Sequence, residues 1–207
     1  MLEPTVFVVD DDAGVRKSLR ALMSSAGLRT EVYAASSEFL DAYDAQRPGC
    51  LILDLRLGAG QDGLNLQDEL RRQGSPLPII VLTGHATVTA SVRALKNGAF
   101  DFLRKPVVPK RLLERVREAI ETDRQYREET ARRTEVAERI ASLTPRERQV
   151  MDLLLGGKTS KEVAVALEMS VRTAEGHRRR VLGKMGVSSA AHLVAMVLRG
   201  PVPAART

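Results

Sequence analysis

Between residues 5 and 120, short runs of β-branched and apolar residues alternate with stretches whose apolar positions recur every third or fourth residue. This alternation constrains the fold more than any other feature of the chain. Thr5–Val9, Arg29–Tyr33, Cys50–Leu53, Ile79–Thr83 and Phe100–Leu103 read as strands. Helical spacing runs through Val15–Ala26, stopped by Gly27, then Ser37–Tyr43, Leu64–Arg72, Val88–Lys96, closed by Asn97-Gly98, and onward from Pro109. Strand–helix units repeated at this length predict an α/β doubly wound five-stranded parallel sheet, because parallel strands need a crossover and the crossover helices cover both faces. In such sheets the site lies beyond the carboxyl ends of the strands.

From Pro109 the helical pattern continues through Leu112, Leu113, Val116 and Ile120 to about Ile140, with no Gly or Pro between 110 and 144. Residues 121–141 are dense in both charge signs, which reads as an exposed helix joining two domains. Its few late apolar anchors, Tyr126, Val136 and Ile140, argue against a long coiled coil. Beyond it, Thr144-Pro145-Arg146-Glu147 and Thr159-Ser160-Lys161-Glu162 are capping boxes, and Ser170 caps a third helix running from Val171 to about Met185. Ser189–Leu198 supplies a fourth. The division is a domain at 1–122, a helical linker at 123–141, and at 142–207 a small all-α four-helix domain with a helix-turn-helix around Glu168-Met169-Ser170.

Charge follows the same division. Residues 1–120 hold 16 basic and 15 acidic residues and residues 142–207 hold 11 and 5, so the net +6 belongs to the last third. A compact basic module on a near-neutral body fits a polyanion partner, most simply nucleic acid. The apolar runs are too short to span a bilayer, which excludes a membrane protein. The early acids Asp10-Asp11-Asp12 without a basic leader argue against a secretory signal, and the lone Cys50 fits a reducing cytoplasm.

The acids are concentrated where the fold places its site. Asp10 and Asp11 close the first strand, Asp54 the third and Thr83 the fourth, and Lys105 follows the fifth. An aspartate at one strand end is ordinary, since it also opens helices and turns. Clustered carboxylates repel one another, so together they favour a hard divalent cation with oxygen ligands, Mg²⁺ above all. A metal beside a carboxylate, a hydroxyl and an ammonium suits phosphoryl transfer to the carboxylate, with Asp54 as acceptor.

Val8-Val9-Asp10-Asp11, Leu51-Ile52-Leu53-Asp54, Val81-Leu82-Thr83-Gly84-His85 and Phe102-Leu103-Arg104-Lys105-Pro106 give residues 4–122 a form that resembles the flavodoxin-like receiver domain of two-component response regulators. The resemblance implies phosphorylation of Asp54 by a sensor histidine kinase. It implies Mg²⁺ held by Asp11, Asp54 and the backbone carbonyl of Arg56, with Asp10 acting through water. Thr83 would follow the phosphoryl oxygens, Lys105 would pair with them, and Phe102 would be an aromatic switch that turns inward. Lys105-Pro106 would be a cis peptide. After Asp54 the family pattern has a proline, whereas Arg56-Leu57-Gly58-Ala59-Gly60-Gln61-Asp62-Gly63 lacks it and is one residue longer. The glycines raise loop entropy, and the expectation is a loop that is mobile without phosphate and orders on activation.

The third helix of the last domain carries Val171, Ala174, Val181 and Met185 near one face, leaving Arg172, Thr173, Glu175, Gly176, Arg179 and Arg180 to solvent. An apolar inner face and a basic outer one suit the major groove of duplex DNA, and Lys161, Arg178 and Lys184 are placed as phosphate clamps. Gly176 costs helix stability, which a close approach to a backbone or base would explain. Leu143-Thr144-Pro145-Arg146-Glu147-Arg148, Lys161-Glu162-Val163-Ala164, Ser170-Val171-Arg172-Thr173, Glu175, His177 and Lys184-Met185-Gly186 resemble the LuxR-type helix-turn-helix over residues 140–200. With the receiver this resembles the FixJ-like branch of response regulators. That implies a transcription factor, not an enzyme, which dimerises on phosphorylation, binds duplex DNA sequence-specifically and can meet RNA polymerase. Release of an inhibited DNA-binding domain is the alternative route to activation.

Other candidates carry less. His177 fits a structural hydrogen bond or a DNA contact, His192 sits in an apolar helix, and His85 lies near the acidic site without a nucleophile to serve. Gly157-Lys158-Thr159 lacks the glycine a phosphate-binding loop needs at position 152, where Asp stands. Residues 142–207 contain no Phe, Tyr or Trp, which removes the stacking platform of an RNA-binding output, and show no nucleophile–base pair for an enzymatic one.

Overall fold

In the computed structural model residues 3–58, 61–84 and 94–198 are described, with backbone alone for Gln61, Asp62 and Leu198. The chain divides into two compact units, Met1–Arg127 and Glu128–Thr207.

In the first unit β1 (Thr5–Val9), β2 (Arg29–Tyr33), β3 (Gly49–Leu53), β6 (Ile79–Thr83) and β7 (Asp101–Arg104) form a parallel sheet in the order β2-β1-β3-β6-β7. Both faces are buried, so the strands are nearly continuous in apolar side chains. Phe7, Val9, Leu51, Leu53, Ile79 and Val81 pack on α2 (Ser36–Ala42) and α3 (Gly63–Arg72) through Phe39, Leu66 and Leu70. Val6, Val8, Cys50, Ile52, Ile80 and Leu82 pack on α1 (Ala13–Ser25) and the start of α4 (Pro109–Ala141) through Leu19, Met23, Leu112 and Val116. The period of two along each strand thus builds two cores, one on each side. Cys50 is fully buried, and that burial pushes its thiol up, as expected of a small hydrophobe. The helix expected at Val88–Lys96 and His85 fall largely outside the described residues; Ala94–Lys96 are helical.

Two features of this unit carry no local sequence signal. The glycine-rich loop after Asp54 is flanked by an antiparallel pair, β4 (Arg56–Leu57) with β5 (Gln61–Asp62), and Leu57 is buried. Pairing across the loop ties down the flanks of a segment read as free; Ala59 and Gly60 lie outside the described residues. Asp123, read as part of a solvated linker, is 1% exposed. Its carboxylate accepts from the Gly49 amide at 2.9 Å and Arg127 Nε at 2.8 Å, and the Arg127 guanidinium also donates to the Ala45 and Arg47 carbonyls. The start of the 123–141 segment is therefore fastened to the amino-terminal edge of the sheet.

In the second unit α5 (Pro145–Leu155), α6 (Ser160–Ala166), α7 (Val171–Met185) and α8 (Ala190–Leu198) surround Val150, Leu154, Val163, Ala174, Val181, Met185 and Leu193. Val136 and Ile140 of α4 pack against the same cluster. Thr144 and Thr159 close complete capping boxes, and the Ser170 hydroxyl accepts from the Thr173 amide. Val171, expected on the inner face, is 41% exposed, because at the first turn of α7 it precedes the row set by Ala174. Glu147 is buried and accepts from Lys184 Nζ at 2.7 Å and the Thr144 amide at 2.9 Å, with Arg180 Nε at 3.7 Å. It therefore pins α5 to α7.

Two outcomes follow for this unit. The Lys184 ammonium and the Thr144 amide hold the Glu147 carboxyl at about 2, below its ordinary 4.5. A depressed folded value contributes stability above the unfolded value and loses it as pH falls toward the folded one. The stability gap between the full chain and Glu147→Gln, followed by hydrogen exchange of the α5 and α7 amides, is widest near neutrality and closes between about pH 4.5 and about 2. Glu168, in the turn between α6 and α7, has φ 51°, a left-handed conformation that costs a side chain about 1–2 kcal/mol. Glycine removes that strain and adds about 0.4–1 kcal/mol of unfolded-chain entropy, so Glu168→Gly raises the urea-unfolding free energy by about 0.5 kcal/mol.

Candidate functional site

Strand register assembles the acidic site. Val9 stands opposite Leu53 in the β1–β3 ladder, so the next residues, Asp10 and Asp54, emerge side by side, and the Asp54 amide donates to the Val9 carbonyl at 2.9 Å. Leu53 stands opposite Val81, and Thr83 opposite Arg104, after which the Lys105 amide donates to the Thr83 carbonyl. Four strand ends thereby meet at one edge.

The Lys105 ammonium binds Asp10 Oδ2 at 2.6 Å and Asp54 Oδ2 at 2.7 Å. Asp10 and Thr83 are almost fully buried and Asp54 is 8% exposed, while Asp11 faces solvent. Burial pushes the Asp10 carboxyl above its ordinary range against the pull of its Lys105 bond. Burial alone would weaken the Lys105 ammonium, but the hydrogen bonds and charges of Asp10 and Asp54 outweigh it, and its proton is held more tightly than a free lysine's. Asp54 Oδ1 accepts from the Arg56 amide at 3.1 Å, and Asp11 Oδ2 from the Gly58 amide at 3.1 Å. Arg16 donates to the Asp10 carbonyl at 2.6 Å, a support with no sequence signal. Gly63 ends the loop where a Cβ would lie 2.2 Å from the Asp54 carbonyl oxygen, so that position requires glycine. Lys105-Pro106 is cis, and Phe102 is half-buried against the core on the α3 side. Asp12 stands apart from the cluster: its carboxylate caps α1, accepting from the Gly14 and Val15 amides.

One oxygen from each of Asp10, Asp11 and Asp54 lies within 4.8 Å of the others. The one ammonium binds two of these three carboxylates, and the remaining negative charge and all-oxygen donor set fit a hard divalent cation.

The second candidate is the outer side of α7. Arg172, Thr173, Glu175 and Arg179 are exposed, Gly176, His177 and Arg178 half-buried, and Lys161 is exposed on α6. Lys184, expected to clamp phosphate, is exposed and bonds Glu147 and the Ser142 carbonyl, because a buried carboxylate requires a counter-ion. Arg180 is likewise shared with its own fold, bonded to His177 Nδ1 at 3.1 Å. His192 bonds Ser188. Among the described residues no helix is long and apolar enough to cross a membrane.

Comparison with known proteins covers both units of the chain. Residues 6–117 match the response regulator receiver domain, and residues 141–197 match the LuxR family of bacterial regulatory proteins. The chain is 39% identical over 194 residues to the transcriptional regulatory protein FixJ of Bradyrhizobium diazoefficiens, covering 94% of each chain. It is 41% identical over 201 residues to FixJ of Azorhizobium caulinodans, covering 96% of this chain and 94% of that one. Among solved structures it resembles response regulator StyR, with TM-score 0.88 and 36% identity over 95% of this chain and 99% of that one. Full-length FixJ from B. japonicum follows at TM-score 0.60 and 38% identity, covering 96% and 98%. With four strand-end motifs meeting in one acidic pocket and a helix-turn-helix at the other end, the chain belongs to the FixJ-like two-component response regulators, a receiver domain joined to a LuxR-type DNA-binding domain.

Proposed function

We propose that Asp54 is the phosphoryl acceptor of this regulator and that its phosphorylation controls binding of α7 to duplex DNA. The observation that carries the reading is the meeting of Asp10, Asp11, Asp54, Thr83 and Lys105 at one edge of the sheet. An Asp54 oxygen attacks phosphorus on the phosphohistidine of a sensor kinase, the P–N bond breaks, and the imidazole nitrogen keeps its electron pair. Asp11, Asp54 and the Arg56 carbonyl would hold Mg²⁺, with Asp10 acting through water. When bound, the cation neutralises charge on the transferring oxygens. Lys105, now shared between Asp10 and Asp54, turns its ammonium toward the added phosphoryl oxygens, and the Thr83 hydroxyl donates to them. That gain in contacts is available only in the phosphorylated state, as a ligand-driven shift requires. Phe102, opposite Val81 in the neighbouring strand, would carry the change to the surface.

On the output side Arg172, Thr173, Glu175, Gly176, His177, Arg178 and Arg179 would face the groove and its phosphates, with Lys161 on the backbone. A homodimer would place two such helices on two half-sites and double the phosphate contacts. The reading assigns the receiver to 1–122, the connecting helix to 123–141 and the DNA-binding domain to 142–207, and sets the protein beside the chromosome in the cytoplasm, where RNA polymerase is a further partner.

Duplex binding followed by fluorescence anisotropy tests this. An acyl phosphate donor with Mg²⁺ raises the affinity of the wild-type chain by about tenfold, while Asp54→Asn shows no response to the donor; an equal response in both would contradict the reading. Calorimetric titration tests the cation site: Asp11→Asn weakens Mg²⁺ binding by about tenfold or more, and chelation abolishes uptake of the phosphoryl group.

A further inference from the structure

On α7, Arg172, Glu175, Gly176 and Arg179 lie on the side away from the buried Ala174, Val181 and Met185. Glu175 stands three residues after Arg172 and four before Arg179. At such spacings the chain closes Arg124–Glu121 at 2.6 Å, Arg133–Glu129 at 2.9 Å and Arg139–Glu135 at 2.6 Å. Among the described residues the side chains of Arg172, Glu175 and Arg179 make no hydrogen bond or ion pair, whereas those of the neighbouring Arg180 and Lys184 are committed to His177 and Glu147. The outer face of the helix thus presents one unpaired carboxylate between two unpaired guanidinium groups.

A carboxylate on a surface that meets phosphates is repelled by them and can only accept hydrogen bonds. Its place there is explained by a donor on the partner. In the major groove the donors are the amino groups of cytosine and adenine. Arg179, one turn away, separates the two: cytosine's partner guanine offers O6 and N7 to a guanidinium fork, whereas thymine offers a single acceptor and a methyl group. A Cβ at Gly176 would meet nothing within 4 Å in the chain itself, so the missing side chain leaves room for a base edge between the two readers.

We infer that Glu175 and Arg179 read one G·C pair in each half-site, Glu175 accepting from the cytosine amino group and Arg179 donating to guanine O6 and N7. The inference rests on the proposal that α7 enters the major groove. The test is selection of duplexes from a randomised pool by the full-length chain and by Glu175→Ala. Wild type enriches a G·C pair at one symmetric position, and Glu175→Ala loses about tenfold of that preference there while retaining the rest of the recovered sequence. Glu175→Gln shifts the position toward A·T, since a carboxamide pairs with adenine N6 and N7. Base preferences that are the same in wild type and Glu175→Ala overturn the inference and leave the DNA-binding proposal standing. A wild-type chain that enriches no duplex sequence overturns that proposal and the inference with it.

Discussion

The receiver depends on one constraint, the register of its parallel strands. Because Val9 faces Leu53, Asp10 and Asp54 cannot avoid each other, and because Thr83 faces Arg104, Lys105 is delivered to the same edge. The carboxylates are tolerable there because the Lys105 ammonium bridges Asp10 and Asp54 at 2.6 and 2.7 Å and backbone amides of the following loop reach Asp54 and Asp11. A slip of one residue in any of these ladders would exchange side chains between the two cores, each packed for its own row, as well as scatter the site. The two buried faces of the sheet and the chemistry at its end are thus enforced by the same pairing. The cation proposed for this edge completes an electrostatic balance that the polypeptide leaves negative.

The second unit solves a similar problem in the opposite sense. Its surface is basic, and it spends one of its few acids, Glu147, in its interior to fix α7 against α5 through Lys184. That commits the exposed Lys184 ammonium to Glu147 and leaves a smaller set of free side chains around Glu175. The turn that presents this helix contains Glu168 in a left-handed conformation, so the orientation of α7 is held by the packing of Val163, Ala164 and Ala174 and not by an unstrained turn.

Much of this was legible in the residues. Strand and helix order, the ends of β6 and α7, both capping boxes and the grouping of Asp10, Asp54, Thr83 and Lys105 all follow from local periodicity and from where strands must end. What was not legible depends on distant contacts. Nothing near Asp123 announces that it will be buried against Gly49, 74 residues earlier. The ion pair of Lys184 depends on Glu147, 37 residues away, and nothing beside a lysine on a basic helix announces that partner. Likewise β4 and β5 are two residues each, below the length at which any pattern can be read, and are held by the pairing of Arg56 with Asp62.

The claim on which the rest turns is chemical: the phosphoryl group is carried by Asp54 and by no other acid of the cluster. Reaction of the full-length chain with an acyl phosphate in Mg²⁺, reduction of the resulting acyl phosphate with borohydride, and mass-spectrometric mapping of the modified peptide measures this directly. The account predicts modification at Asp54 alone, lost in Asp54→Asn. Modification at Asp10, at Asp11 or at a histidine, or uptake undiminished by Asp54→Asn, would contradict it.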